Sequence, residues 1–330
     1  MIRRIQSAWS DASAAKYFFR RKLPEVAILT RRFRFVAAAI AFCHLLTGRK
    51  YYDTYFERVR RKGSDRRCVD VGEHQMVVDV SDDGLSRDLY LFGTREHNTT
   101  RIYERELERV ERERNEPMVV LDVGSNAGYF ALSALGATSE ETDLIAFEPD
   151  GRTLPLLGEN VERNGYADRV TVEELAIGPE PGAATIELAS HSNLNQIRTD
   201  EIGAHTKAVQ STRQVTMESI DSYLRTSEID PAAVGAVRMD VEGYEIEIID
   251  GMKRLLESDH PLLLFLEMHP HMLRHEQTKA FLETLENAGF VVESVSIEGQ
   301  ISYLGFEERR ELSFEDLVEI EHGYRVFFRR

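Results

Sequence analysis

The chain has 330 residues, of which 42% are hydrophobic and 30% are charged, and its formal net charge is −16. These values are typical of a soluble globular protein with one sizeable α/β core and an appendage. Two cysteines, Cys43 and Cys68, exclude a disulfide framework and a cysteine-rich metal cluster. We therefore expect a cytoplasmic location, although a cysteine-poor exported protein would have the same composition.

Charge is distributed unevenly along the chain. Residues 1–68 carry 17 Lys and Arg against 5 Asp and Glu, whereas the rest of the chain carries 24 against 52. Such asymmetry indicates different partners for the two parts. Only 7 of the 41 basic residues are Lys, which together with the acidic body resembles the composition of proteins from salt-adapted organisms. A high-GC genome that encodes Arg in place of Lys would produce the same bias.

The N-terminal part contains no window of roughly 18 apolar residues that would span a bilayer. Its longest apolar run, residues 35–46, follows a cluster of arginines. We interpret residues 24–62 as one or two basic amphipathic helices that end near Gly48 and Gly63. They either pack as a cap on the rest of the chain or contact a membrane surface through their Arg-rich face. The sequence thus predicts a basic helical N-terminal extension over residues 1–68.

Short strand-like stretches begin at residue 68. Alternating apolar residues bounded by turn sequences predict strands at 68–71, 76–80 and 88–92. A charged segment with a thin apolar stripe predicts a helix over 99–114. We group these elements as a small β-region with a lead-in helix, residues 69–115.

From residue 116 to the end, apolar strand segments alternate with amphipathic helices. Nearly continuous apolar strands of this kind indicate a mostly parallel sheet covered by helices on both faces. We therefore predict an α/β fold with a doubly wound sheet in residues 116–330. The predicted strands are 119–123, 143–147, 170–176, 184–188, 235–239, 262–267, 290–297 and 324–328. One predicted helix starts at residue 129, and three others cover 153–164, 244–257 and 275–288.

The first of these strands ends in the sequence DVGSNAG, residues 122–128, and a helix follows at once. Glycines at such a strand end, here Gly124 and Gly128, let the backbone approach a ligand closely. The dinucleotide pattern G-x-G-x-x-G is absent, since Asn126 stands where the middle glycine would be and Asp122 precedes the loop. A carboxylate there opposes a pyrophosphate but can meet the ammonium of S-adenosylmethionine (SAM), directly or through the loop. We predict that these four residues belong to a SAM site.

The next two strand ends extend this site. Glu148 follows the second strand, 20 residues beyond Gly128, which is the spacing expected for a carboxylate that binds ribose hydroxyls of NAD or SAM. Ala176 and Ile177 follow the third strand and are predicted to border the adenine. Ordinary packing at a strand end is the alternative for these two residues.

Six sequence blocks follow one another along the chain: LDVGSNAGYF (121–130), AFEPDGRTLPLLGENVERNG (146–165), ELAIG (174–178), TMESIDSYL (216–224), VRMDVEGYEIEIIDGM (237–252) and LLFLEMHP (263–270). Together they resemble the FkbM-type methyltransferases over roughly residues 90–300, and residues 1–68 lie outside the resemblance. The resemblance implies SAM as cofactor and the class I methyltransferase fold, a Rossmann-like sheet of seven strands. It also implies O-methylation of hydroxyl groups on sugars, glycolipids or polyketide-type products.

Methyl transfer to an alcohol requires an aligned acceptor and removal of its proton late in the reaction. Asp240 and Glu242 end one predicted strand, and Glu267 and His269 end the next. We expect Asp240 or Glu242 to orient the acceptor hydroxyl, with His269 as a further base candidate. The structural alternatives are a helix cap for Asp240, a first-turn helix acid for Glu242 and a turn residue for His269.

Two further features concern ligands. The histidines at 269, 271 and 275, with Glu267, have a spacing that a metal ion can use, but an i, i+4 histidine pair is usually incidental, and we predict no metal site. The polar segment 190–209 is interpreted as a lid or an acceptor-recognition loop in which Asn193 and Asn195 contact a sugar, with a disordered insertion as the alternative.

The predicted acceptor is a small molecule, a sugar or a glycolipid. We expect no nucleic-acid partner, because an acidic body opposes phosphate binding. Peripheral membrane contact through residues 24–62 remains an alternative for the basic helices. Two other function classes also remain: a nucleotide-dependent oxidoreductase on a Rossmann-like sheet, and a non-enzymatic protein that binds a membrane or a partner.

Overall fold

The computed structural model describes residues 56–57, 65–82, 84–189, 195–198, 209–273, 275–297 and 307–330. Of the predicted N-terminal helices, only Phe56 and Glu57 belong to these ranges, so the prediction for residues 24–62 otherwise lies outside the described residues. Within those ranges, no helix has the length and apolar character that crossing a membrane requires.

The described residues form strands and helices that alternate along most of the chain. The strands are β1 (Arg66–Val71), β2 (His74–Asp79), β3 (Val119–Val123), β4 (Asp143–Phe147), β5 (Val170–Glu173), β6 (Ala176–Ile177), β7 (Gly182–Leu188), β8 (Gln196–Ile197), β9 (Ser211–Glu218), β10 (Val234–Met239), β11 (Leu263–Met268), β12 (Val291–Ile297), β13 (Glu307–Arg309) and β14 (Tyr324–Arg329). The α-helices are α1 (Leu85–Phe92), α2 (His97–Arg114), α3 (Tyr129–Ala137), α4 (Leu154–Arg163), α5 (Ile220–Thr226), α6 (Glu245–Ile249), α7 (Lys253–Leu256), α8 (His275–Asn287) and α9 (Phe314–Val318).

The main sheet has eight strands in the order β13-β12-β14-β11-β10-β3-β4-β5. Its five strands from β11 to β5 are parallel, whereas β14, β12 and β13 pair antiparallel. The chain runs outward from β3 through β4 to β5 and later returns to the other side of β3 as β10. The strand order therefore switches between β3 and β10, which is where ligands bind in open α/β sheets.

A second, four-stranded sheet has the order β6-β9-β7-β8. In it β7 pairs antiparallel with both β9 and β8, and β6 pairs parallel with β9 through Ala176 and Ile177. Only two residues separate β6 from β5. The second sheet therefore starts at the carboxyl ends of the parallel strands, where the cofactor site is predicted.

The α/β class and the large sheet are confirmed, whereas the predicted mostly parallel sheet of seven strands is not: the sheet has eight strands, of which five are parallel. The predicted strand 170–176 breaks into β5 and β6, which belong to different sheets, and 184–188 lies in the second sheet. The edge strand Glu307–Arg309 consists of charged residues and carries no apolar pattern that would reveal it. A mixed sheet of eight strands is the result.

The predicted strand over 88–92 is wrong, because this segment belongs to helix α1. Leu85 and Leu89 are buried four residues apart, the spacing of one helical face. Gly93 then ends the helix in the left-handed conformation (φ 66°) and donates its backbone N–H to the Leu89 carbonyl. The predicted helix over 244–257 is likewise two short helices, α6 and α7, and the prediction missed α5.

Hydrophobic side chains pack on both faces of the main sheet. In β3, Leu121 and Val123 face one core, while Val120 faces the other. The second core also contains the hairpin β1–β2, α1, α2 and Phe56, whose ring lies 5.9 Å from that of Tyr90. The predicted region 69–115 thus shares a core with the main sheet, and the division into domains stays a prediction.

Candidate functional site

A pocket lies across the carboxyl ends of β10, β3, β4 and β5. Since neighbouring parallel strands end side by side, its wall runs from carboxylates after β10, past the glycine loop after β3 and Glu148 after β4, to apolar residues after β5. Seven of the ten predicted site residues line this wall: Gly124, Asn126, Glu148, Ala176, Ile177, Asp240 and Glu242. The other three, Asp122, Gly128 and His269, lie behind it.

The glycine loop packs tightly between β4 and β10. Gly124 adopts φ 80°, and its N–H donates to the Phe147 carbonyl at 3.0 Å. A Cβ atom added to Gly124 would lie 2.3 Å from the carbonyl oxygen of Asp240, so only glycine fits. Gly128 has φ 88° and precedes α3, and a Cβ there would lie 2.8 Å from Leu157.

Asn126 and Glu148 connect two of the strand ends. The Asn126 N–H donates to Oε2 of Glu148 at 2.8 Å, and the Asp150 N–H donates to Oε1 at 2.8 Å. Asn126 adopts φ 50°, and its side-chain oxygen accepts from the Ala127 N–H. Burial raises the pKa of Glu148 to about 7, although the two backbone amides oppose this shift. The carboxyl group therefore titrates near neutral pH and retains lone pairs for further donors.

Asp122 lies beneath the loop rather than in the pocket wall. It is 1% exposed, and its carboxylate pairs with Arg238 at 2.9 Å. Arg238, on β10, also donates to the Gly124 carbonyl at 3.2 Å and to Asp240 at 2.7 Å, and it lies 4.2 Å above the Phe130 ring. Asp122 therefore offers no direct contact to a ligand, and its charge acts on the site through Arg238 and the loop.

Asp240 is held as a carboxylate. Burial alone would raise its pKa, but Arg238, with His269, Arg95 and Arg325 further away, holds the pKa below its usual range. Its Oδ2 accepts from Arg238, and α6 begins only at Glu245. The alternative interpretation of Asp240 as a helix cap is therefore wrong.

The loop between β10 and α6 is held by a different carboxylate, Glu245. Its Oε1 accepts from the N–H groups of Val241 at 3.1 Å and Gly243 at 3.4 Å. Glu242 lies within this loop at φ 55°, three residues before the helix, and is not a first-turn acid. Its Oε2 is 3.4 Å from Nε2 of His269, and Glu242 lines the pocket.

His269 is enclosed by carboxylates. Its Nδ1 lies 3.7 Å from Glu245, and its Nε2 lies 3.4 Å from Glu242 and 3.8 Å from Glu267. Burial disfavours the charged ring, but Glu245, Glu242 and Glu267 outweigh it and raise the pKa of His269 to about 10. The ring is therefore an imidazolium at neutral pH and has no free lone pair to accept a proton. This protonation state argues against His269 as a base, and we expect it to act as a positioning cation instead.

The metal alternative finds no support in the described part of the chain, where no group of three His, Cys, Asp or Glu residues has a suitable arrangement. The side chain of His271 lies outside the described residues.

Sequence reasoning missed several polar residues of the pocket wall, among them Arg95, Tyr129 and Arg238. A single arginine between apolar residues in a buried strand is a signal for an internal ion pair, and it identifies Arg238. Arg95 lies between α1 and α2 and pairs with Glu96 at 3.3 Å. The Tyr129 hydroxyl donates to the Arg95 carbonyl at 2.5 Å, but no sequence pattern signals this contact.

The segment 190–209 is described only at residues 195–198 and at Val209. Asn195 was predicted to contact a sugar, but its side-chain N–H donates to Asp150 at 2.8 Å and its side-chain oxygen accepts from the Ala189 N–H at 3.0 Å. The carboxamide is therefore engaged within the protein. Asn193 lies outside the described residues.

The chain is similar to several known methyltransferases. The sequence model of the methyltransferase FkbM domain matches residues 122–292. Hexuronic acid methyltransferase AglP of Haloferax volcanii is 26% identical over 178 residues, 52% of this chain and 64% of that protein. Ribosomal protein L11 methyltransferase of Geobacter sp. (strain M21) is 31% identical over 121 residues, 36% of this chain and 37% of that protein. A solved putative SAM-dependent methyltransferase from Streptococcus mutans is 10% identical, with a TM-score of 0.44, and the match covers 81% of this chain and 56% of that one.

Proposed function

The chain belongs to the FkbM methyltransferase family, and on this premise we propose that it transfers the methyl group of SAM to an oxygen atom of a sugar, glycan or glycolipid. It is a SAM-dependent methyltransferase, which sets aside the oxidoreductase alternative. The observation that carries the proposal is the order of groups along the pocket wall, with two carboxylates at one end, Glu148 in the middle and apolar residues at the other end.

The residues present fit SAM. Glu148 would accept hydrogen bonds from the ribose hydroxyls, since each of its oxygens accepts only one described backbone N–H. Ala176 and Ile177 would border the adenine. Arg238 and the loop after Gly124 would face the amino-acid part of the cofactor, because a guanidinium suits a carboxylate. A Cβ on Gly124 would meet the Asp240 carbonyl, so the glycine lets the loop pack against the end of β10.

When bound, SAM supplies an electrophilic methyl group that an acceptor oxygen displaces from sulfur, leaving S-adenosylhomocysteine (SAH). The chain must orient that oxygen and take its proton. Asp240, ionised and fixed by Arg238, would orient the hydroxyl. Glu242 would accept the proton, while His269 holds its carboxylate in place from 3.4 Å.

The acceptor class is supported by two facts. A curated relative over half of the chain acts on a hexuronic acid, as its name states, and carboxylates at the β10 end of the pocket are suitable acceptors for the hydroxyls of a polyol. The comparisons give no ground for excluding nucleic acid, because the family match says nothing about the acceptor. An RNA fraction therefore belongs among the acceptors to be tested.

The test is binding followed by transfer. Purified full-length protein is titrated with SAH in a calorimeter and then incubated with methyl-labelled SAM and separated glycan, lipid, small-molecule and RNA fractions. We expect SAH binding and alkali-stable label in a glycan or glycolipid fraction. Alkali-labile label would instead indicate a methyl ester on a sugar carboxylate, which is also an oxygen acceptor. Label confined to RNA would contradict the proposal.

A further inference from the structure

Gln196 is a buried polar residue of the pocket wall that the proposed chemistry does not use. It lies on β8, where it pairs with Glu187 of β7 while its neighbour Ile197 pairs with Ile186. Gln196 is only 7% exposed, and it lines the pocket together with Ile186 and Ile197. Among the residues that the structure describes, none donates a hydrogen bond to its buried Oε1 atom. A buried carbonyl oxygen without a donor is unfavourable, so a donor on a bound ligand would stabilise this arrangement.

The strand that carries Gln196 is fixed to the cofactor end of β4. The preceding residue, Asn195, donates to the carboxylate of Asp150 at 2.8 Å, and Asp150 is fully buried. The Asp150 N–H in turn donates to Glu148. A chain of hydrogen bonds therefore links the predicted ribose-binding carboxylate to β8. Gln196 is held in a defined position relative to that carboxylate.

The wall around Gln196 is suited to an aromatic base. Leu175, Ala176 and Ile177 lie on the β6 side of the pocket, and Ile186 lies on β7, the strand that pairs with β8. A flat, largely apolar ring with one amino group would bury its faces against these side chains. Its amino group would then lie near Oε1 of Gln196 and donate to it. The edge of adenine carries an amino donor beside a ring-nitrogen acceptor, and a glutamine carboxamide complements both.

We propose that Gln196 recognises the adenine of the cofactor and sets the preference for adenine over a 6-oxo purine. Its Oε1 accepts from the adenine amino group, and its Nε2 donates to the adjacent ring nitrogen. This inference rests on the proposed use of SAM. It assigns base recognition to a side chain of β8, whereas the sequence predicts only Ala176 and Ile177, on β6, next to the adenine.

The experiment compares SAH with S-inosylhomocysteine, in which a carbonyl oxygen replaces the adenine amino group. Both are titrated by calorimetry into the full-length wild-type protein and the Gln196→Met variant, which keeps the length of the side chain and removes its hydrogen bonds. Gln214→Met is the matched control, because Gln214 lies exposed on β9 of the same sheet and donates to Thr185. Thermal unfolding of each variant reports on folding.

We expect wild type and Gln214→Met to bind SAH about 5- to 150-fold more tightly than S-inosylhomocysteine. Gln196→Met should lose most of this ratio, mainly through weaker SAH binding. Equal affinity of the wild type for the two ligands would overturn the inference without any variant, and so would a full ratio in folded Gln196→Met. A wild-type chain that binds neither ligand would refute the proposed cofactor itself, which separates the two failures.

Discussion

The carbonyl oxygen of Asp240 lies 2.3 Å from the point where a Cβ atom on Gly124 would be. Gly124 follows β3 and Asp240 follows β10, so this contact joins the two strand ends between which the strand order switches. The Asp240 N–H also donates to the Val123 carbonyl at 3.2 Å. The cofactor loop and the loop with the candidate catalytic carboxylates are therefore one packed unit. Displacing either one displaces the other.

The first prediction concerns this contact. Gly124→Ala would place a methyl group against the Asp240 carbonyl and force a side chain into φ 80°. We expect a loss of stability of about 1–3 kcal/mol and weaker SAH binding, measured by thermal unfolding and calorimetry. Gly158→Ala is the control, because a Cβ at this position in α4 meets no atom within 4 Å. Helix propensity predicts a small gain in stability for the control. Unchanged SAH binding in Gly124→Ala would refute the role of the loop.

A second prediction concerns the buried arginine. Arg238→Met removes the only described cation in hydrogen-bonding contact with Asp122 and leaves Asp240 without its 2.7 Å partner. Breaking a buried ion pair from one side costs about 3–5 kcal/mol, which chemical denaturation would measure. Arg163→Met removes an exposed i, i+4 pair with Glu159 and should cost less than about 1 kcal/mol.

The double variant Arg238→Met/Asp122→Asn separates charge from packing. Since the asparagine removes one of the two uncompensated charges, the double variant should regain part of the lost stability, and the coupling energy should be clearly non-zero. Additive losses in the two single variants would show that Asp122 and Arg238 do not stabilise each other.

The third prediction is a pH dependence of cofactor binding. The pKa of Glu148 is about 7 in the free protein because of its burial. Ribose hydroxyls that donate to the carboxylate favour its charged form and lower the pKa on binding. Binding then releases a proton, so SAH affinity should rise with pH up to about 7 and level off above it. Below pH 7 the change approaches tenfold per pH unit.

Glu148→Gln tests the origin of that dependence. The amide is neutral at every pH, so the variant should bind SAH about tenfold more weakly at pH 7.5 and with a nearly flat profile between pH 5.5 and 7. His269, with a pKa of about 10, stays charged throughout this range and does not contribute. A profile of the same slope in Glu148→Gln would place the titrating group elsewhere.

The strand-end residues of the site could be predicted from the sequence because each one combines an apolar strand with a polar or glycine residue directly after it. Glu148 and Asp240 follow this rule, and their positions in the pocket wall agree with the prediction. The ion pair of Asp122 with Arg238 could not be predicted as a pair, because 116 residues separate the partners and only the β3–β10 pairing brings them together. The lowered pKa of Asp240 and the raised pKa of His269 depend on the same long-range packing.

Elements with weak or ambiguous patterns were predicted less well. Four residues of apolar character over 88–92 suit a strand as well as a helix, and the burial of Leu85 together with Leu89 decides for the helix. Gln196 lies in a polar stretch that predicts a surface loop. Its burial depends on the pairing of β8 with β7 and on the anchoring of Asn195 by Asp150, neither of which a local pattern reveals.

The last prediction separates the two candidate catalytic carboxylates. Glu242→Gln removes the proposed proton acceptor and should lower kcat by about 10²- to 10⁴-fold, with SAH affinity close to that of the wild type. Asp240→Asn keeps a hydrogen-bonding group but loses the charge that Arg238 fixes, and we expect it to abolish turnover while SAH still binds. Glu257→Gln on the exposed end of α7 is the matched control and should leave kcat unchanged.

Methyl transfer is measured with labelled SAM over pH 6 to 9, and thermal unfolding confirms that each variant is folded. Unchanged turnover in Asp240→Asn would eliminate Asp240, and wild-type kcat in Glu242→Gln would exclude Glu242 as the proton acceptor.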